Sequence, residues 1–109
     1  MADELPDDFI AAIRDAIQAE KPNGYLLGEV WEDGSNKIAY SRRRRYLLGR
    51  ETHGLMNYPF RTALLAWLGG GDAAAFRDDM ETIRENYPPA AFYGAMNFLG
   101  THDTPRILT

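Results

Sequence analysis

Two acidic side chains stand where a carboxylate is out of keeping with its neighbours. Glu29 interrupts the apolar run Tyr25-Leu26-Leu27-Gly28-Glu29-Val30-Trp31, and Asp103 follows His102 just beyond the apolar residues 96–99. In folds built on parallel strands, function gathers where strands end and loops begin. Two carboxylates that converge on one pocket can cleave a glycosidic bond: one delivers a proton to the leaving oxygen, and the other stays ionised to attack or to stabilise an oxocarbenium-like charge. No metal and no cofactor is expected for that chemistry. Spacing by itself is a weak signal. A strand-end glutamate is more often solvent-exposed or salt-bridged than catalytic, and His102-Asp103 ahead of Pro105 reads equally well as a helix N-cap.

The elements that would position these residues alternate in type. Pro6 with Asp7 and Asp8 marks a helix start, because proline suits the first turn and the aspartates face the positive end of the helix dipole. Phe9, Ile13, Ala16 and Ile17 then give that helix one apolar face, and Pro22-Asn23-Gly24 ends it. Residues 25–31 form a short, nearly all-apolar run, the pattern of a strand buried on both faces. Residues 32–37 read as a loop, and residues 38–50 are ambiguous, with a helix as the expectation. Residues 54–58 are a second candidate strand. Phe60, Ala63, Leu64, Trp67 and Leu68 follow at helical spacing up to Gly69-Gly70-Gly71. Asp72 can cap a further helix with Phe76, Met80, Ile83 and Tyr87 on one face, closed by Pro88 and Pro89. Residues 96–99 are a third strand.

Such alternation implies an α/β fold with a parallel sheet built by right-handed crossovers. Three strands cannot bury both faces of such a sheet, and a closed eight-stranded barrel takes about 250 residues. The 109 residues therefore read as a single segment of a larger α/β architecture, a partial (β/α)8 barrel. The chain is 45% hydrophobic and 26% charged, ordinary for a folded domain, with a net charge of -4. An acidic balance gives no general attraction to nucleic acid or to an anionic membrane. Arg42 to Arg45 is the most basic stretch, but in an acidic chain it reads as a solvated face beside acidic neighbours. His53 has no partner at metal-ligand spacing. Cysteine is absent, and the acidic N-terminus has no leader pattern, so a cytoplasmic setting is expected. No apolar run approaches a membrane span.

The literal strings narrow the reading. Gly28-Glu29-Val30-Trp31, Leu55-Met56-Asn57-Tyr58 and Phe98-Leu99-Gly100-Thr101-His102-Asp103-Thr104-Pro105-Arg106 occur in that order. Together they resemble the α-amylase family of glycoside hydrolases, in particular its neopullulanase and cyclomaltodextrinase-like members, and the resemblance runs from Ala2 to Thr109. It implies that the three strands are the fifth, sixth and seventh of a catalytic barrel. It further implies a retaining enzyme acting on α-glucosidic bonds of starch-type oligosaccharides, with Glu29 as the general acid/base and Asp103 as the carboxylate that stabilises the transition state. His102 would bind sugar hydroxyls, Trp31 would stack at or shape the site or, as the favoured role, pack in the core, Asn57 and Tyr58 would shape the barrel, and Arg106 would support the last loop.

One departure matters. The family's nucleophilic aspartate stands two residues before an Ala-Asp or Ala-Asn pair. Here Ala2-Asp3 follows Met1 directly, so the nucleophile is expected upstream of Met1, with the first four strands and the eighth also outside the segment. Retaining hydrolysis forms a covalent intermediate on that residue, so the isolated chain is expected to be inactive. The alternative expectation is a non-catalytic α/β module that self-associates through its open strand edges and uncovered helix faces, with weak sugar binding at most. On either reading the isolated chain is expected to form a homo-oligomer.

Overall fold

A computed structural model describes residues 2–108. Met1 and Thr109, the latter the last residue of the resembling stretch, lie outside the described residues. A short 3-10 turn at Ala2–Glu4 leads into helix α1, Asp7–Glu20. The helix ends with the Lys21 amide donating to the Ile17 carbonyl at 2.8 Å, and the Gly24 amide donating to Lys21 at 2.7 Å turns the chain into the sheet.

The sheet is narrow and parallel. Strand β1, Leu27–Gly28, pairs with β4, Gly54–Leu55, in the register Leu27 to Gly54 and Gly28 to Leu55. On its other side the β4 segment bridges Met96 through Met56, again in parallel. The order in space is thus the order in the chain. Residues 25–31 and 54–58 supply strands, shorter than their apolar runs, and residues 96–99 supply a single bridge at Met96. Gly54 is required by close approach: a Cβ there would run into the Gly94 carbonyl and the Tyr25 hydroxyl, which already hydrogen-bond each other.

Residues 38–50 correct the expectation of a helix. They open with a β-hairpin, in which β2, Ile38–Ala39, pairs antiparallel with β3, Arg42–Arg43. Its two turn residues are left-handed, Tyr40 at φ 52 and Ser41 at φ 57. This is the backbone that a two-residue hairpin with right-handed strand twist demands. Tyr-Ser lacks the Asn-Gly or Asp-Gly signature of that turn, so the hairpin was invisible to turn chemistry. The Arg44 amide extends the ladder by donating to the Lys37 carbonyl at 2.7 Å, and the Tyr40 hydroxyl anchors the turn from outside by donating to the Glu4 carbonyl at 2.7 Å.

Helices α2, Tyr58–Leu68, α3, Ala73–Asn86, and α4, Pro89–Tyr93, make the connection from β4 to Met96. α2 begins earlier than the apolar periodicity suggested because Asn57 caps it, its Oδ1 accepting the Phe60 amide at 3.0 Å. Asp72 caps α3 by accepting the Ala74 amide at 3.0 Å, as its residue type predicts. Pro88 and Pro89 end α3 but also start α4, since proline tolerates a first turn. Phe76 of α3 stacks on Trp67 of α2 with ring centroids 5.0 Å apart. The core gathers Ile10, Val30, Tyr46, Leu55, Ile83, Tyr87 and Ala91. Tyr87 ties the end of α3 to the loop after β1, its hydroxyl accepting the Gly34 amide at 3.1 Å.

Asn57 performs two tasks, because its Nδ2 also donates to Asn97 Oδ1 at 2.9 Å. Replacing it with Ala should destabilise the chain by about 2 kcal/mol, one helix cap plus one part-buried hydrogen bond. Asn57→Asp keeps the cap and should lose less. Urea unfolding checks this; an Ala variant as stable as the parent would contradict it.

Candidate functional site

The C-terminal ends of the three parallel segments face the same way and build one rim. Glu29 is the first residue past β1 and half-buried. Its carbonyl accepts the Ala2 amide at 2.9 Å, which fixes the backbone under the carboxyl group. Its Oε1 accepts the indole N–H of Trp31 at 2.6 Å. This hydrogen bond orients the carboxyl group.

Of the two roles expected for Trp31, core packing does not hold, since the residue remains 43% exposed, and stacking does. It lies flat on Tyr58, with centroids 4.5 Å apart and planes 14° from parallel. Tyr58 is buried at the start of α2 and meets Phe98 edge-on at 4.7 Å. An aromatic row therefore runs across the rim, from the end of β1, past the end of β4, to the segment after Met96. Asn57 and Tyr58 do shape the structure, one as a cap and one as the middle of this row.

His102 and Asp103 stand on the loop beyond Phe98. The loop turns at residues 101–104: the Thr104 hydroxyl accepts the Thr101 amide at 2.8 Å, and the Asp103 amide donates to Thr101 Oγ1 at 3.2 Å. Among the described residues no helix follows the turn. Arg61 of α2 secures the loop by donating to the Leu99 carbonyl at 2.8 Å and to that of Pro105 at 3.5 Å. His102 Nε2 lies 3.2 Å from Asp103 Oδ2, and the imidazole is otherwise open to solvent, with 91% of its side chain exposed. The structure thus pairs His102 with Asp103 and Glu29 with Trp31, and connects the two ends of the rim through the aromatic row. His53 is structural: its Nδ1 accepts the Leu26 amide at 2.9 Å and its ring stacks on Tyr25. Burial, then the nearby Arg14 charge, holds its imidazole below the ordinary value. Among the described residues, no group of three or more His, Asp or Glu side chains is placed to hold a metal ion, and no helix is long and apolar enough to cross a membrane.

No protein-family model matches the chain. The cyclomaltodextrinase of Geobacillus thermopakistaniensis (strain MAS1) is 35% identical over 111 residues, covering 100% of this chain and 17% of that protein. Neopullulanase 2 of Thermoactinomyces vulgaris is 32% identical over 111 residues, again covering 100% of this chain and 17% of its own length. The solved structure of the cyclic α-maltosyl-(1→6)-maltose hydrolase of Arthrobacter globiformis, in complex with maltose, superimposes with a TM-score of 0.82 at 27% identity, over 95% of this chain and 22% of that one.

The chain belongs to the α-amylase family.

It corresponds to a segment of the family's catalytic barrel and spans 17% of the length of the curated relatives just described. The family's barrel architecture accounts for a sheet of three parallel segments whose ends meet on one rim.

The aromatic row makes its own prediction. Trp31→Phe keeps the stacking on Tyr58 but deletes the indole donor, and should cost about 1 kcal/mol. Trp31→Ala loses both and should cost about 2–3 kcal/mol. Three coincident unfolding curves would contradict the row's role in holding the rim.

Proposed function

We propose that this segment furnishes the acid/base half of a retaining glycosidase that cleaves α-glucosidic bonds in starch-type oligosaccharides. Glu29 protonates the departing glycosidic oxygen and then activates water. Asp103 remains ionised and stabilises the oxocarbenium-like transition state, while His102 donates hydrogen bonds to sugar hydroxyls. None of the chain's own carboxylates is assigned the nucleophile's role. The observation that carries the reading is the position of Glu29: one residue past a parallel strand, on the rim that also bears the His102–Asp103 loop, with its carboxyl group oriented by Trp31.

The nature of the site supports the assignment of substrate class. Sugars present hydroxyl groups around an apolar ring face. A rim that combines an exposed indole face, an imidazole and carboxylates offers both kinds of contact. Maltose in the Arthrobacter structure and the names of the curated relatives point to the same class.

The test is a graft. The 109 residues replace the matching stretch of the Geobacillus cyclomaltodextrinase, and release of glucose and maltose from β-cyclodextrin and maltohexaose is measured. The graft should be active, and Glu29→Gln within it should lower kcat roughly a thousandfold, the usual scale for losing a general acid. A folded graft that keeps its full rate with Gln at position 29 would refute the role of Glu29. The isolated chain should release no sugar.

A second reading has its own observation. Among the described residues β1 pairs with β4 alone, and large apolar side chains such as Leu48, Leu68 and Tyr93 are 69%, 66% and 81% exposed. Open edges and exposed apolar area favour association of copies of the chain. Light scattering should find a dimer or a larger homo-oligomer; a sharp monomer mass at every concentration would exclude it.

A further inference from the structure

The basic run Arg42 to Arg45 lies outside the rim, and one of its members does not behave as a surface charge. Arg42 and Arg43 form β3 and are exposed, and 56% of the Arg45 side chain meets solvent. Arg44 is only 3% exposed. A cation taken out of water must turn its donors onto the protein. Arg44 Nε donates to Asp7 Oδ1, at the start of α1, at 2.9 Å. Its other two nitrogens gather the stretch before that helix. Nη1 donates to the Asp3 carbonyl at 3.2 Å, and Nη2 donates to the carbonyls of Ala2, at 3.5 Å, and of Leu5. Cζ sits over the ring of the buried Tyr46, 4.6 Å from its centroid.

The hairpin that delivers Arg44 grips the same stretch. Tyr40 donates its hydroxyl to the Glu4 carbonyl at 2.7 Å. Lys37 Nζ lies 3.4 Å from Asp3 Oδ2, and the Tyr46 hydroxyl donates to Asp3 Oδ1. Residues 37–46 therefore hold every residue from Ala2 to Leu5. What this grip secures lies on the far side of the stretch. The Leu5 amide donates to the Ala2 carbonyl at 3.1 Å, and the Ala2 amide donates to the Glu29 carbonyl at 2.9 Å. Glu29 is the first residue past β1, where the ladder with β4 no longer fixes the backbone. Its carbonyl is seated by Ala2, and that seating sets how far its carboxyl group reaches over the rim.

We propose that Arg44 is a positioning residue for Glu29: by gathering the carbonyls of residues 2–5 it seats the Ala2 amide on the Glu29 carbonyl and so fixes the acid/base on the rim. The consequence for catalysis rests on the role proposed above for Glu29, whereas the seating of Ala2 does not. Arginine suits the task where lysine does not. Its planar fork presents donors on three nitrogens in fixed directions, enough for one carboxylate and three carbonyls at once. A lysine keeps the charge beside Asp7 but has one nitrogen, which cannot hold the spread of carbonyls from Ala2 to Leu5.

The first test uses the 109-residue chain itself, by comparing amide hydrogen exchange in the parent and in Arg44→Lys. The Ala2 and Leu5 amides should exchange about tenfold faster in the variant, as local opening requires. The Met56 amide, which donates to Gly28 at 2.9 Å within the sheet, should keep its rate. Unchanged exchange at Ala2 and Leu5, or an equal rise at all three amides, would overturn the proposal. If the variant does not fold, the Arg44 guanidinium protons of the parent decide. Separate, slowly exchanging signals support the grip, and averaged signals like those of an exposed arginine overturn it.

The second test uses the graft in the Geobacillus cyclomaltodextrinase and reads kcat/KM on two substrates. Maltohexaose needs a proton delivered to its leaving oxygen, and α-maltosyl fluoride does not. Arg44→Lys should lower kcat/KM for maltohexaose roughly tenfold to a hundredfold, the scale of a slightly misplaced catalytic group, and for the fluoride far less. An equal fall on both substrates, or no fall on either, would overturn the positioning role. Glu29→Gln in the same graft separates the two claims. If it shows the selective loss and Arg44→Lys does not, the proposal for Arg44 fails alone; if Glu29→Gln shows no selective loss, the acid/base reading fails and takes the positioning role with it.

Discussion

The backbone of residues 54–57 exchanges hydrogen bonds on both sides, and the rest of the site depends on that. Met56 donates to Gly28 at 2.9 Å, Met96 donates to Leu55 at 3.0 Å and Asn57 donates to Met96 at 2.9 Å. Buried peptide groups must find partners, and here they find them only if three segments lie parallel with their ends level. Once the ends are level, Glu29, Tyr58 and Phe98 cannot avoid standing on one rim. The aromatic row of Trp31, Tyr58 and Phe98 then fills the space between the ends and holds the Glu29 carboxyl in one orientation. Gly54 belongs to the same constraint, since any side chain there would push the middle strand away from Gly94.

The sequence was informative where a local pattern had one physical solution. Pro6-Asp7-Asp8 could only open a helix, and Asp72 could only cap one. The runs around Leu27 and Leu55, too apolar for a half-exposed strand, had to lie in a parallel sheet. It was uninformative where long-range contacts override local preference. Tyr40-Ser41 carries no hairpin signal, yet both residues take the left-handed region, with the Tyr40 hydroxyl held by the distant Glu4 carbonyl. Four consecutive arginines look like a solvated face, and three of them fit that description. Arg44 does not, because its position after the hairpin turns it inward among the carbonyls of residues 2–5. No periodicity marks Glu51 as buried; its burial depends on α1 and the post-hairpin segment meeting, which a single sequence does not display.

The candidate site divides in the same way. Glu29, His102 and Asp103 were visible as residue types because each breaks an apolar run or follows one. The partners that orient them were not. Trp31 reads as core by hydrophobicity, and only the fold turns its N–H toward Glu29 and leaves a face open. Arg61 reads as one polar residue on a helix, and only the fold brings it to the carbonyls of Leu99 and Pro105 that fix the His102–Asp103 loop. Chemistry-bearing groups are thus legible from sequence, and the groups that position them emerge only with tertiary structure. The chain accordingly holds two polar systems of different character: an open one on the rim, facing solvent, and a closed one around Arg44, facing inward.

Azide rescue tests the role of Glu29 most directly. The graft in the Geobacillus cyclomaltodextrinase is prepared with Glu29→Ala and supplied with α-maltosyl fluoride, whose leaving group needs no proton. A general acid/base at position 29 predicts slow turnover that azide restores, with α-maltosyl azide as product, because a small anion attacks the glycosyl-enzyme where no base is left to activate water. Turnover of the fluoride by Glu29→Ala that is already at the parent's rate, or a slow rate that azide leaves unchanged, would contradict the account.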